Sequence, residues 1–216
     1  MIAYYKKAED DPTILDKKIT YDQSTLDTFG DTNSGEYFPP KVRIELNKSY
    51  TVEDLIEKMI IYSDNNAKNL LLLNLGSDDE YYKVYTDLGF ATPPELSGGG
   101  DVLSVHEYAS FYRVLYNASY LNQRYSEKAL ELLSKTDFTQ GLTLPIPNNI
   151  TVSHKFGEYT NGDIRQLHDC GIIYYPQNPY ILCILTRGTD FKNLEDVINT
   201  ISKEVYNNVN KQVGKF

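Results

Sequence analysis

Residues 51–72 read TVEDLIEKMIIYSDNNAKNLLL. Thr51-x-x-Asp54 is a capping-box pattern, in which each side chain serves the other residue's backbone N–H. It opens a helix with Leu55, Ile56, Met59 and Ile60 on one face. Ser63-Asp64-Asn65 follows. Behind it AKNLLLLNLG is apolar most of the way round, which predicts a buried helix stopped by Gly76. Taken alone, the Ser-Asp-Asn triplet reads as a helix cap.

On the N-terminal side, residues 2–10 (IAYYKKAED) read as the end of a helix, closed by Asp11-Pro12. A polar stretch runs from there to Pro39-Pro40, with a short strand-like KKITY inside it. On the C-terminal side, Ser77-x-x-Glu80 caps a third helix running to Gly89, and residues 90–101 form a loop rich in Pro and Gly. Ser104-x-x-Glu107 caps a fourth helix, and Ser126 opens a fifth. Beyond Gly141 the pattern changes. ITVSHKF alternates and is rich in β-branched residues. LHDCGIIYY and YILCILTRG are apolar runs joined by Pro176-Gln177-Asn178-Pro179, a hairpin signal. Asn193 caps a last helix to about Asn208. Helices, then a meander, then one helix predict an α+β protein. The expected organisation is a single domain over 1–216, with a helical lobe at 45–140 beside a sheet lobe built from 1–44 and 141–216.

The chain has 216 residues, 41% of them apolar and 24% charged, with a formal net charge of −9. This is a globular composition with room for a sizeable core. The negative charge argues against nucleic acid and anionic lipid as partners. The longest apolar stretches, 70–73 and 180–185, are too short to span a bilayer. Residues 1–7 have no leader-like apolar segment. Cys170 and Cys183 are too few for a disulfide framework, and with His106, His154 and His168 they form no zinc spacing, so no metal or cofactor is expected. The two cysteines fall near-diagonal across the predicted hairpin, and buried free thiols are the favoured reading over a disulfide.

The segment 51–72 resembles the corresponding helix pair of class A β-lactamases and related penicillin-recognising enzymes. Lys155-Phe156-Gly157 lies 92 positions after Ser63, at the end of a predicted strand, where that family carries Lys-Thr-Gly. The strand hairpin with Gly171-Ile172-Ile173 and the last helix follow in the family's order. The resemblance implies a β-lactamase/transpeptidase-like fold. It also implies serine acyl transfer on small β-lactams or D-Ala-D-Ala peptides of peptidoglycan, and work outside the cytoplasm. Ser63 would relay a proton to the leaving nitrogen, and Lys155 would keep the cleft positive. Asn65 would hold the substrate's side-chain amide, and the Glu158 backbone N–H would be an oxyanion donor. Gly157 would leave the strand edge clear for substrate. Asp64 reads as a structural partner within the helical lobe.

The departures are as informative. The family's nucleophile and base come from a Ser-x-x-Lys, and no serine here has a lysine three positions on. By the resemblance, residues 2–10 are the later part of the helix that carries it, and two sheet strands are missing as well. The expectation is therefore a truncated family chain, inactive in acyl transfer, whose YILCILTRG strand lacks a neighbour and invites self-association. In the loop, laying Glu95-Leu96 on the family's Glu-Leu-Asn puts Pro93 at the deacylating Glu and Ser97 at the Asn. Phe156 stands where a hydroxyl normally binds the substrate carboxylate and cannot make that bond. Arg165 is a candidate replacement anchor, although a solvated loop arginine is its favoured reading. A penicillin-fold binding or structural protein without catalysis is the alternative function. His154 faces away from Lys155 and reads as a core or interlobe histidine, while His168 and Asp169 point to opposite faces and form no base-orienter pair.

Overall fold

A computed structural model of the chain describes residues 1–92 and 103–213. The Pro93, Glu95, Leu96 and Ser97 readings lie outside the described residues. The elements run α1 (Ile2–Asp10), a 3-10 turn (Pro12–Asp16), β1 (Lys18–Tyr21), α2 (Gln23–Phe29), β2 (Lys48–Thr51), α3 (Val52–Ile61) and α4 (Asn65–Leu73). Then come α5 (Asp78–Asp87), α6 (Val105–Tyr116), α7 (Gln123–Leu133), β3 (Val152–Asn161), β4 (Ile164–Ile173), β5 (Tyr180–Gly188) and α8 (Phe191–Val213). The α+β architecture matches the sequence expectation.

Two of the three capping boxes form as read; Ser77 heads α5 without a side-chain cap bond, and Glu80 pairs with Lys7 instead. Thr51 accepts from Asp54 N, and Asp54 returns the bond to Thr51 N. Ser104 and Glu107 do the same. Three boundaries differ. Helix α7 opens at Asn122, whose side chain accepts from Tyr125 N, whereas Ser126 is buried inside the helix with its hydroxyl on Leu121 O. Asp190, not Asn193, caps α8 by accepting from Asn193 N. Helix α4 ends at Leu73, three residues before Gly76, which takes φ +120 in the turn that follows. The polar stretch before Pro39 also holds more structure than its composition suggests. It contains α2, capped by Asp22, beside the strand read at KKITY, which forms β1 and pairs antiparallel with β2.

Two larger cores meet at the sheet, beside a small cluster of Ile146, Val152 and Ile173. Tyr5, Leu55, Ile56, Leu70, Leu121 and Tyr125 are each no more than 2% exposed and centre the helical core, into which α1 packs. Phe138, Leu142, Phe156, Leu167, Ile184, Phe191, Leu194 and Ile198 form a second core, which covers the other side of the sheet with α8. Among the described residues the main sheet is β3-β4-β5, antiparallel throughout. Gly171 lets β3 and β4 pass closely, since a Cβ there would lie 2.5 Å from His154 Cβ.

One expectation is overturned. Register places Cys170 directly opposite Cys183, not diagonal to it, and the two sulfurs are joined as a disulfide. The turn after Ile173 sets this register: Tyr175 N bonds Ile173 O and Asn178 N bonds Tyr175 O. We expect the unreduced, unfolded protein to show no reactive thiol in an Ellman titration. Two thiols per chain would contradict the bridge.

Candidate active-site cleft

Helix α3 ends at Ile61, and the chain turns through Ser63, held at φ +59. That left-handed conformation is costly for a serine and marks a residue fixed by its surroundings. What fixes it is Asp64. Its carboxylate is fully buried and accepts from Asn33 Nδ2 (2.8 Å), Ile44 N (2.7 Å), Asn66 N (3.0 Å) and Ala67 N (3.3 Å). One side chain thus caps α4 and ties down the 33–44 loop. This is the structural role read for Asp64 from the sequence, and it leaves Ser63 and Asn65 facing a cavity.

The other wall is β3. Lys155 Nζ donates to Ser63 Oγ at 2.7 Å and to Phe156 O at 3.0 Å. Burial lowers the Lys155 ammonium to about 8, although Asp169, Asp137, Glu36 and Glu158 pull the other way. Tyr108 on α6, which also lines the cavity, donates its hydroxyl to Lys155 O at 2.8 Å and braces the strand. Thr151 O accepts from Tyr174 N. In an antiparallel ladder this bond turns the amide groups of even-numbered β3 residues away from β4. The Glu158 N–H therefore points to the strand's free edge. At Gly157 an added Cβ would meet nothing within 4 Å, so the space along that edge is open.

The cavity between these walls measures about 480 Å³ and is lined by residues that include Ser63, Asn65, Lys155, Gly157 and Glu158. Arg165 does not line it. Its guanidinium donates to Gly162 O and Ile164 O at the far hairpin turn. Phe156 turns its ring into the second core, stacked on Phe138 with centroids 4.0 Å apart. The Lys155 ammonium lies 4.2 Å from the Phe156 ring centroid, a favourable cation–π placement.

Sequence reasoning missed two carboxyl groups. The Glu158 side chain reaches across the mouth and accepts from Tyr37 N (3.0 Å) and Phe38 N (2.9 Å). Glu36 accepts from Asn65 Nδ2 through Oε1, while its Oε2 is buried with no hydrogen-bond partner. Burial first, and then the Glu158 charge, raise the Glu36 carboxyl to about 7. Nothing in a polar loop 27 residues before Ser63 signals such a contact. The buried pair of His154 and Asp169 was also missed. His154 Nδ1 lies 2.9 Å from Asp169 Oδ1, and Asp169 Oδ2 takes Leu142 N. His154 is a core histidine, as read, but the alternation of one strand could not show a partner on the next.

The helical lobe, the antiparallel sheet and the cleft between Ser63-Asp64-Asn65 and Lys155-Phe156-Gly157 define a β-lactamase-like protein. A family model described as the beta-lactamase enzyme family matches residues 1–209, and the chain belongs to that family. Among curated proteins it is similar to beta-lactamase ROB-1 of Haemophilus influenzae, 31% identical over 75 residues. That match covers 35% of this chain and only 22% of that enzyme. Among solved structures it is similar to a beta-lactamase from Francisella tularensis, with TM-score 0.77 and 20% identity over 98% of this chain and 82% of that one. A class A beta-lactamase from Mycobacterium abscessus gives TM-score 0.74 and 22% identity over 97% and 81%. PBP-A gives 0.75 and 19% over 97% and 77%. At these identities the solved structures speak to the fold.

Proposed function

We propose that the chain forms the substrate cleft of a serine acyl-transfer protein acting on β-lactams or D-Ala-D-Ala peptides, and that these 216 residues alone do not carry out the transfer. The observation that supports the cleft is the 2.7 Å bond from Lys155 Nζ to Ser63 Oγ, between residues 92 apart on different lobes. An ammonium donating to Oγ leaves the serine's own proton free to pass to a leaving nitrogen, and then favours the oxygen left behind. In this reading Asn65 holds the acyl side-chain amide, and the Glu158 N–H donates to the oxyanion. Lys155 supplies the positive charge that attracts the ligand carboxylate. Inactivity follows from the absence of any Ser-x-x-Lys, the pattern from which the family draws its nucleophile and base. The disulfide between Cys170 and Cys183 supports a site of work outside the reducing cytoplasm.

The experiment is intact-mass spectrometry after incubation with benzylpenicillin, run beside a chromogenic cephalosporin. We expect no adduct and no turnover. A stoichiometric adduct would overturn the inactive reading and point to Ser63 itself as nucleophile. One observation favours a second reading, a binding protein without catalysis. The Phe156 ring is buried against Phe138 and gives a ligand carboxylate no hydroxyl to meet.

A further inference from the structure

The cleft has a cation on one side and two carboxylates on the other. Glu158 is spent structurally, because both its oxygens accept backbone N–H groups of Tyr37 and Phe38. Those bonds hold the loop so that Glu36 turns inward onto Asn65. Glu36 keeps one buried oxygen, Oε2, with no donor. Among the described residues neither carboxylate takes part in a salt bridge. Arg43 and Lys155 act on Glu36 only through their charge, and more weakly than the opposing Glu158. Glu36 lines the cavity, and a buried carboxylate oxygen without a donor is costly until the side chain turns it to one, most of all to a charged donor.

We propose that Glu36, with Glu158 behind it, makes this cleft selective for acyl groups that carry an ammonium within a few bonds of the amide held by Asn65. This rests on the proposed reading of the cleft, in which Asn65 binds that amide. Asn65 Nδ2 is already bonded to Glu36, so a ligand amide arriving at Asn65 is in reach of the same carboxylate. An ammonium next to that amide would supply the donor that Oε2 lacks and would stand between two negative charges. A carboxylate at the same place would meet both charges and pay for desolvation without a partner. A neutral group would leave Oε2 as it is.

The test uses three penicillins with one ring system and three side chains: benzylpenicillin (neutral), ampicillin (α-ammonium) and carbenicillin (α-carboxylate). Their dissociation constants for this chain are measured by calorimetry near neutral pH. We expect ampicillin to bind about tenfold more tightly than benzylpenicillin, the scale of one partly exposed charge-assisted bond, and carbenicillin to bind most weakly. Glu36→Gln keeps an oxygen for Asn65 but removes the charge, and should bring the three constants together. Equal affinities in the parent chain, or a preference that survives Glu36→Gln, would overturn the selectivity while leaving the cleft reading intact. If none of the three binds, the cleft reading fails and the selectivity fails with it.

Discussion

Replacing Asp64 by alanine should cost the fold about 4 kcal/mol, from the loss of charge-assisted bonds and the stranding of buried donors. Four donors converge on that carboxylate from three segments: Asn33, Ile44, and the first turn of α4 at Asn66 and Ala67. Alanine would leave them facing a void in a region that is almost fully enclosed. In a chain of this size such a loss lowers the melting temperature by about 8–16 °C. Asp64→Asn separates charge from shape. Oδ1 can still take Asn33, Asn66 and Ala67, but the amide nitrogen would face the Ile44 N–H, donor against donor. We therefore expect asparagine to fall between wild type and alanine, at about 2 kcal/mol. Urea unfolding followed by far-UV circular dichroism reads both. A loss below about 1 kcal/mol for alanine would show that water serves these donors equally well.

Asp64 also marks how far the sequence could be read. Its place between an amphipathic and a buried helix was visible because caps and periodicity act within a few residues. Thr51-x-x-Asp54 and Ser104-x-x-Glu107 were legible for the same reason. Asn122 was passed over for Ser126 because both are good capping residues, and only burial on the helical core decides which one faces inward. The cysteine pairing depended on one residue of strand register, set by the turn at Tyr175–Asn178, and sequence alternation does not fix register. In the cleft, Ser63 and Lys155 were legible because Ser63-Asp64-Asn65 and Lys155-Phe156-Gly157, one on each wall, resemble motifs of a known family. Glu36 was not, because its importance comes from where the 33–44 loop is pulled by Asp64 and Glu158. That is a tertiary effect with no local trace. The two sites share a cause: the buried carboxylate that stabilises the helix start also brings the loop carrying Glu36 to the cavity.

The charges of Lys155 and Glu36 should together make ligand binding depend on pH in two steps of the same sign. A Lys155 ammonium lowered to about 8 by burial is charged below that pH and neutral above it. A Glu36 carboxyl raised to about 7 by burial and by Glu158 is neutral below that pH and negative above it. For a ligand with one carboxylate and a neutral acyl group, such as benzylpenicillin, the cleft is most favourable below about pH 7, where Lys155 is positive and Glu36 uncharged. Raising the pH through 7 adds a negative charge to the cavity, and raising it further through 8 removes the positive one. Affinity should fall at both. The upper step is the larger, because it removes a charge-assisted bond worth about 2 kcal/mol, roughly thirtyfold in affinity. The lower acts across the cavity, where solvent screens it. Each step can be removed separately. Lys155→Arg stays charged throughout this range and should abolish the upper step, while Glu36→Gln should abolish the lower. Calorimetric titration of benzylpenicillin across this range, on the parent chain and on both variants, reads the result. An affinity that rises through pH 8 would mean that the ligand carboxylate is held by some group other than Lys155. A flat profile would mean that the cleft binds its ligand through neutral contacts alone, with Phe38, Met59, Leu103 and Phe156 among the apolar side chains that line it.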